Sequence, residues 1–105
     1  FKVICIDSGF HIKSVTDISA GGARFTPVDF RELTKAVLNS GTDIVILAHN
    51  HPDSPNTPSQ EDVTLTREVM RYMRCLGVTV LDHYITGKNG TISMRNCGLI
   101  HDMEC

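Results

Sequence analysis

Apolar and polar residues alternate along FKVICID (Phe1–Asp7), the period-two pattern of a half-buried strand. SGF then turns the chain into a second, weaker strand across His11–Ser19, and AGGAR reads as a loop around Gly21 and Gly22. The spacing becomes helical in TPVDFRELTKAVLNSG, where Phe30, Leu33, Val37 and Leu38 recur on one face. Thr26 is its expected cap, Pro27 suits its first turn and Gly41 its C-terminal end. TDIVILAHNH is continuously apolar over Ile44–Ala48, as expected of a strand buried on both faces.

A second helix is expected to start near Thr57-Pro58-Ser59-Gln60, a capping-box pattern with Pro58 at the first helical position, and to stop at Gly77. Val63, Thr66, Val69, Met70, Met73 and Leu76 supply its apolar face, and Cys75 is expected in the core beside the methionines. VTVLDHYITG (Val78–Gly87) reads as a strand, Lys88-Asn89-Gly90 as a hairpin turn and TISM (Thr91–Met94) as a short last strand. The order ββαβαββ predicts an α/β fold, a small three-layer sandwich with a mixed sheet.

Composition narrows the function classes. A length of 105 residues suits one domain, and 41% hydrophobic with 21% charged residues is the balance of a soluble globular chain. IVILA is far too short to span a membrane. The chain starts at Phe1 without a methionine and shows no signal peptide, so it reads as a fragment of a longer protein. Net charge is −2, and Glu61, Asp62 and Glu68 dilute Arg67, Arg71 and Arg74, which leaves little electrostatic basis for holding nucleic acid. Cys5, Cys75, Cys97 and Cys105 have no CxxC spacing and read as free thiols in a reducing, cytoplasmic setting.

The candidate chemistry lies in AHNHPDSPNTPSQED (Ala48–Asp62). Residues two apart on a strand share a face, so His49 and His51 can aim both imidazoles at one point if extended backbone persists to His51. The Pro-rich loop can return the first turn of the next helix, and with it Asp62, to the strand's end. Two neutral histidines and a carboxylate are a common catalytic zinc set with a fourth position open to water. Ser59, three residues before Asp62, is placed to donate a hydrogen bond to an oxyanion. Each residue alone has an ordinary reading: a surface histidine, a helix-start serine, an aspartate complementing the helix dipole. Their combination points to a metal.

HNHPDSPNTPSQED resembles the JAMM (JAB1/MPN+) metalloprotease motif H-x-H-x7-S-x-x-D, matched without a gap by His49, His51, Ser59 and Asp62. More closely, ILAHNHP, TPSQED, the helix leading into LGVTVLDHYITG and the closing SMRNCGLI are similar to the C-terminal domain of bacterial RadC-like proteins. The resemblance covers Phe1 to about Ile100. It implies a JAB/MPN fold, related to cytidine-deaminase-like sandwiches, and a Zn2+-dependent hydrolase acting on peptide or isopeptide bonds of a peptide or protein substrate. His49, His51 and Asp62 carry over as zinc ligands and Ser59 as oxyanion donor. Two departures stand out. Asp53-Ser54 replaces the usual Ser-Gly after HNHP, and the family's general-base glutamate has no counterpart among Glu32, Glu61, Glu68 and Glu104, so it is expected upstream of Phe1.

Asp82-His83 also recurs in the resembling family. The two face opposite sides of a strand, so only one can approach the metal; Asp82 is a candidate for orienting a ligand histidine, or the pair is structural. His11 and His101 lack ligand spacing and are expected to be exposed. Other functions compatible with the resemblance are a non-catalytic MPN scaffold and, from the family's historical name, an accessory part in DNA repair. The string HNH is not an HNH nuclease motif, which spreads those residues over a longer ββα unit. Zinc deaminases need a Glu two residues after the His and a later PCxxC, both absent. The order of ligands also differs from the His-x-carboxylate of mononuclear iron oxygenases.

Overall fold

A computed structural model describes residues 1–20, 28–51 and 55–101. The predicted order is the observed one: β1 (Lys2–Ile6), β2 (Ile12–Asp17), α1 (Phe30–Ser40), β3 (Ile44–Asn50), α2 (Gln60–Cys75), β4 (Thr79–Gly87) and β5 (Gly90–Ser93). The strands form one mixed sheet in the order β2-β1-β3-β4-β5, with β3 and β4 parallel and the other neighbours antiparallel. This is an α/β architecture consistent with a JAB/MPN-type sandwich. The parallel pair is joined through α2, as a crossover requires.

Register decides which side chains share a face. Val3 pairs with Leu47 and Leu47 with His83, while Cys5 pairs with Val45. Val3, Cys5, Val45, Leu47 and His83 therefore point to one side, and all are fully buried there. Both helices lie on that side: the Cys5 thiol faces the Ala36 carbonyl of α1, and Thr66 of α2 contacts His83. The helices also touch each other, Phe30 edge-on to Tyr72 at 5.2 Å between ring centroids, with Thr34 bonded to the Tyr72 hydroxyl. On the other side Ile4, Ile44, Ile46 and Ala48 are only partly covered and Val15 is 54% exposed.

The helix starts differ from expectation. Asp29 caps α1, its carboxylate accepting from the N–H groups of Arg31 and Glu32. The helix therefore begins at Phe30, whereas the predicted cap residues Thr26 and Pro27 lie outside the described residues. The capping box of α2 is Ser59 with Asp62, not Thr57 with Gln60. Its first turn is two residues later than Pro58 implied, because Ser59 and Asp62 satisfy each other's backbone N–H groups. Gly77, at φ 75°, turns the chain out of α2 in the left-handed region that favours glycine.

Three residues expected on apolar faces turn outward, Leu76 at the end of α2 among them at 40% exposed. Leu38 is 66% exposed because Leu33 and Val37 already define the buried stripe of α1 and Leu38 sits a step around the helix. Cys75 is exposed at the end of α2, while Met70 and Met73 are buried as expected.

Candidate metal centre

β3 carries the first two donors. His49 continues the buried parity of Val45 and Leu47, so its ring points to the helix side of the sheet. His51 lies one residue past the strand, yet its N–H still donates to the Thr86 carbonyl at 2.6 Å, so the extended backbone persists and the two imidazoles converge. Their ring centroids are 4.7 Å apart and nearly perpendicular.

The return loop is pinned at two points before α2 begins. His51 Nδ1–H donates to the Pro55 carbonyl at 3.2 Å, and Asn56 N–H donates to Asn89 Oδ1 at 3.1 Å. A carbonyl only accepts, so the first bond places the His51 proton on Nδ1 and leaves a lone pair on Nε2. That Nε2 lies 3.4 Å from Asp62 Oδ2, and His49 Nδ1 lies 3.6 Å from Asp62 Oδ1. The three donor atoms all fall within 4.8 Å of one another.

These residues fit a metal ion. His49 Nδ1 is buried without a hydrogen-bond partner, an uncompensated acceptor that a cation would satisfy. A tetrahedral ion with ligands near 2.1 Å spaces them roughly 3.4 Å apart, close to the two histidine–carboxylate separations seen. Burial holds the His49 pKa below its ordinary value, partly opposed by the Asp62 carboxylate, so the imidazole is in the neutral form that binds metals. His49, His51 and Asp62 thus form a group that could hold a metal ion.

Ser59 sits at the same helix start. Its Oγ accepts from Asp62 N–H at 3.0 Å while Asp62 Oδ2 accepts from Ser59 N–H at 2.8 Å. The hydroxyl is thus used as an acceptor, and its own proton is left to donate. Glu61 and Glu68 are exposed and Glu32 pairs with Lys35 on α1. Asp53 and Ser54, the departure from the family pattern, lie outside the described residues, as do Glu104 and Cys105.

Of the two readings of Asp82-His83, the structural one holds for Asp82. Asp82 pairs with Ile46, on the face away from His49, and so does not orient a ligand histidine. It is a structural hub: its carboxylate accepts from the Ser93 hydroxyl, from His83 N–H at 2.7 Å and from Arg95 N–H at 3.1 Å. Ser93 Oγ in turn accepts from Asn96 N–H at 3.0 Å, which gives the closing SMRNCG segment a packing role. It is His83 that faces the donors, its ring centroid 5.9 Å from that of His49.

Sequence reasoning missed three contributors. Phe1 stacks on His49 with ring centroids 5.0 Å apart and also contacts His83. Asn89, read only as a turn residue, anchors the return loop; the NG dipeptide explains the turn but carries no sign of that long-range contact. Thr66 was assigned to the apolar face by spacing alone, although its hydroxyl donates to the Asp62 carbonyl at 2.7 Å and accepts from His83 Nδ1–H at 2.6 Å. His11 is exposed and pairs with Asp7, and His101 is exposed, both as expected.

Comparison with known proteins places this geometry in a family. The model of the RadC-like JAB domain matches residues 1–99. A UPF0758 protein of Desulfitobacterium hafniense is 35% identical over 100 residues, 95% of this chain and 44% of that protein. One from Symbiobacterium thermophilum is 37% identical over 100 residues, 95% of this chain and 43% of that protein. A third, from Caldanaerobacter subterraneus subsp. tengcongensis, is 37% identical over 104 residues, 99% of this chain and 44% of that protein. The chain spans less than half the length of these relatives. With that match over nearly its whole length, and with the donors gathered at the end of β3, the chain belongs to the RadC-like JAB domain family.

Proposed function

We propose that this chain is the metal-dependent hydrolase domain of a RadC-like protein, with Zn2+ held by His49, His51 and Asp62 and a peptide or isopeptide bond as its target. The observation that carries the reading is the convergence of three donors, one of them a buried nitrogen without a partner. Zinc, when bound, polarises a carbonyl and makes water a nucleophile near neutral pH.

The chain's own residues do the rest. The bond from His51 Nδ1 to Pro55 fixes which nitrogen is offered, and the capping box fixes the Asp62 carboxylate. The Ser59 hydroxyl donates its free proton to the oxyanion that develops on the substrate. The free thiols of Cys5, Cys75 and Cys97 are the support for a cytoplasmic setting. DNA is not an expected ligand of this domain, given its net charge of −2.

The experiment is hydrolysis of a peptide and of a lysine-isopeptide substrate by the parent-length protein loaded with zinc. Cleavage is expected, with Asp62→Asn abolishing it and Ser59→Ala lowering kcat by about 10²–10³-fold. A second reading, an MPN scaffold without catalysis, is favoured by the commitment of Ser59 and Asp62 to the helix cap. Zinc binding without hydrolysis of either substrate would support that reading instead.

A further inference from the structure

His83 is fully buried on β4, in a position where an aliphatic side chain would serve the core better. Its Nε2 has no hydrogen-bond partner, and leaving such a group unpaired in the interior costs stability. A residue retained at a cost in stability invites a functional explanation. His83 lies beside one of the three candidate donors and is linked to a second through Thr66. Its ring lies beside His49 at 5.9 Å between centroids, with the planes inclined by 31°. On the other side it reaches Asp62 through Thr66.

The order of protons in that connection is determined. The Thr66 hydroxyl donates to the Asp62 carbonyl at 2.7 Å, so its oxygen is left to accept, and the bond at 2.6 Å must be donated by His83 Nδ1–H. Thr66 lies one helical turn after Asp62, and a hydroxyl bonded to the carbonyl four residues back is common in helices. What is specific here is that a strand histidine clamps that hydroxyl. The first turn of α2 is thereby tied to β4, next to the strand that carries His49.

We propose that His83 is a positioning residue of the metal site, acting through Thr66 to hold Asp62 at its distance from His49 and His51. The inference rests on the metal reading above and extends it to a residue that would not itself touch the ion. Partners of this kind around metal ligands typically change affinity by 10–100-fold when removed.

The test is zinc affinity, by competition with a chelating dye, for the parent chain, His83→Leu, His83→Asn and Thr66→Val, each with its metal-free melting temperature. His83→Leu removes both ring nitrogens; its metal-free form is expected to melt no lower than the parent, while zinc affinity falls at least tenfold. His83→Asn keeps an N–H near the Nδ1 position and is expected to recover most of that loss. Nitrogen-15 NMR of the parent should show His83 as the Nδ1–H tautomer, with its resonance moving on zinc addition and the tautomer losing definition in Thr66→Val.

Zinc affinity of folded His83→Leu within twofold of the parent would overturn the proposal and leave the metal reading intact. Loss in His83→Asn equal to that in His83→Leu would overturn the route through Thr66. A parent chain that binds no zinc at all would overturn both readings. If His83→Leu does not fold, His83→Asn, Thr66→Val and the NMR signature decide the matter.

Discussion

At the scale of single residues, His49 and His83 are neutral imidazoles held where water is scarce. Burial pushes the His83 pKa down to about 4, with the neighbouring His49 adding to the effect. The titratable groups around it are His49 of β3, His51 just past that strand, Asp62 of α2 and the adjacent Asp82, and the two carboxylates only partly oppose the shift. In the unfolded chain a histidine takes up its proton near pH 6.5, whereas His83 in the folded chain does so near 4. Between those values the unfolded state binds more protons, so stability falls as pH drops from about 6.5 to 4, by roughly 3 kcal/mol in total for this residue. Above pH 6.5 its contribution is flat. Denaturant unfolding of the metal-free chain at pH 7, 5.5 and 4.5 should show that decline, and His83→Leu should flatten most of it, leaving the smaller slope from His49. An unchanged pH dependence in His83→Leu would contradict this assignment.

The sequence made the donors legible because their signal is local. His49 and His51 are two apart on one strand, and Ser59 and Asp62 are three apart on one helix start. What it hid was everything that depends on strand pairing. That Asp82 faces Ser93 and His83 faces His49 follows from the alternation of β4, but which member would face the helices required the register with β3. The bulge between Val45 and Ile46 shifts that register by one residue.

At the scale of elements, the fold legible in the sequence was the order of strands and helices, and the errors fell at helix ends. Proline at position 58 drew the predicted start of α2 forward, yet the reciprocal bonds of Ser59 and Asp62 define it. The same pair thus caps a helix and presents a carboxylate to two histidines, so helix formation and site assembly are one event. The return loop is held more lightly, by the Pro55 carbonyl on His51 and by Asn89 across the β4–β5 turn. Asn89→Ala removes the partner of the Asn56 N–H, and Asn56 is itself buried. The expected cost is about 1–3 kcal/mol of stability. A weakening of zinc affinity should accompany it, because the loop connects His51 to Asp62. Denaturant midpoints and the chelator competition measure the two effects; an affinity unchanged beside a lower midpoint would show that the loop does not support the site.

At the scale of the whole molecule, one side of the sheet holds the core and the site together. The fully buried Val45 and Leu47, flanked by Val3 of β1, lead along β3 into His49, so the site is an extension of the hydrophobic core. The strand and the helix start themselves bring the three donors together, and preorganisation of that kind lowers the conformational cost of binding. Binding only the folded state would then stabilise the chain by about 4 kcal/mol at a thousandfold excess over Kd. The most direct measurement is elemental analysis for zinc on the chain equilibrated with Zn2+ and then freed of unbound metal, beside His49→Ala, His51→Ala and Asp62→Ala. One zinc per parent chain, and a large loss in each variant that remains folded by circular dichroism, is the expected result. A parent chain that retains no more zinc than its folded variants would contradict the metal centre on which the proposed function stands.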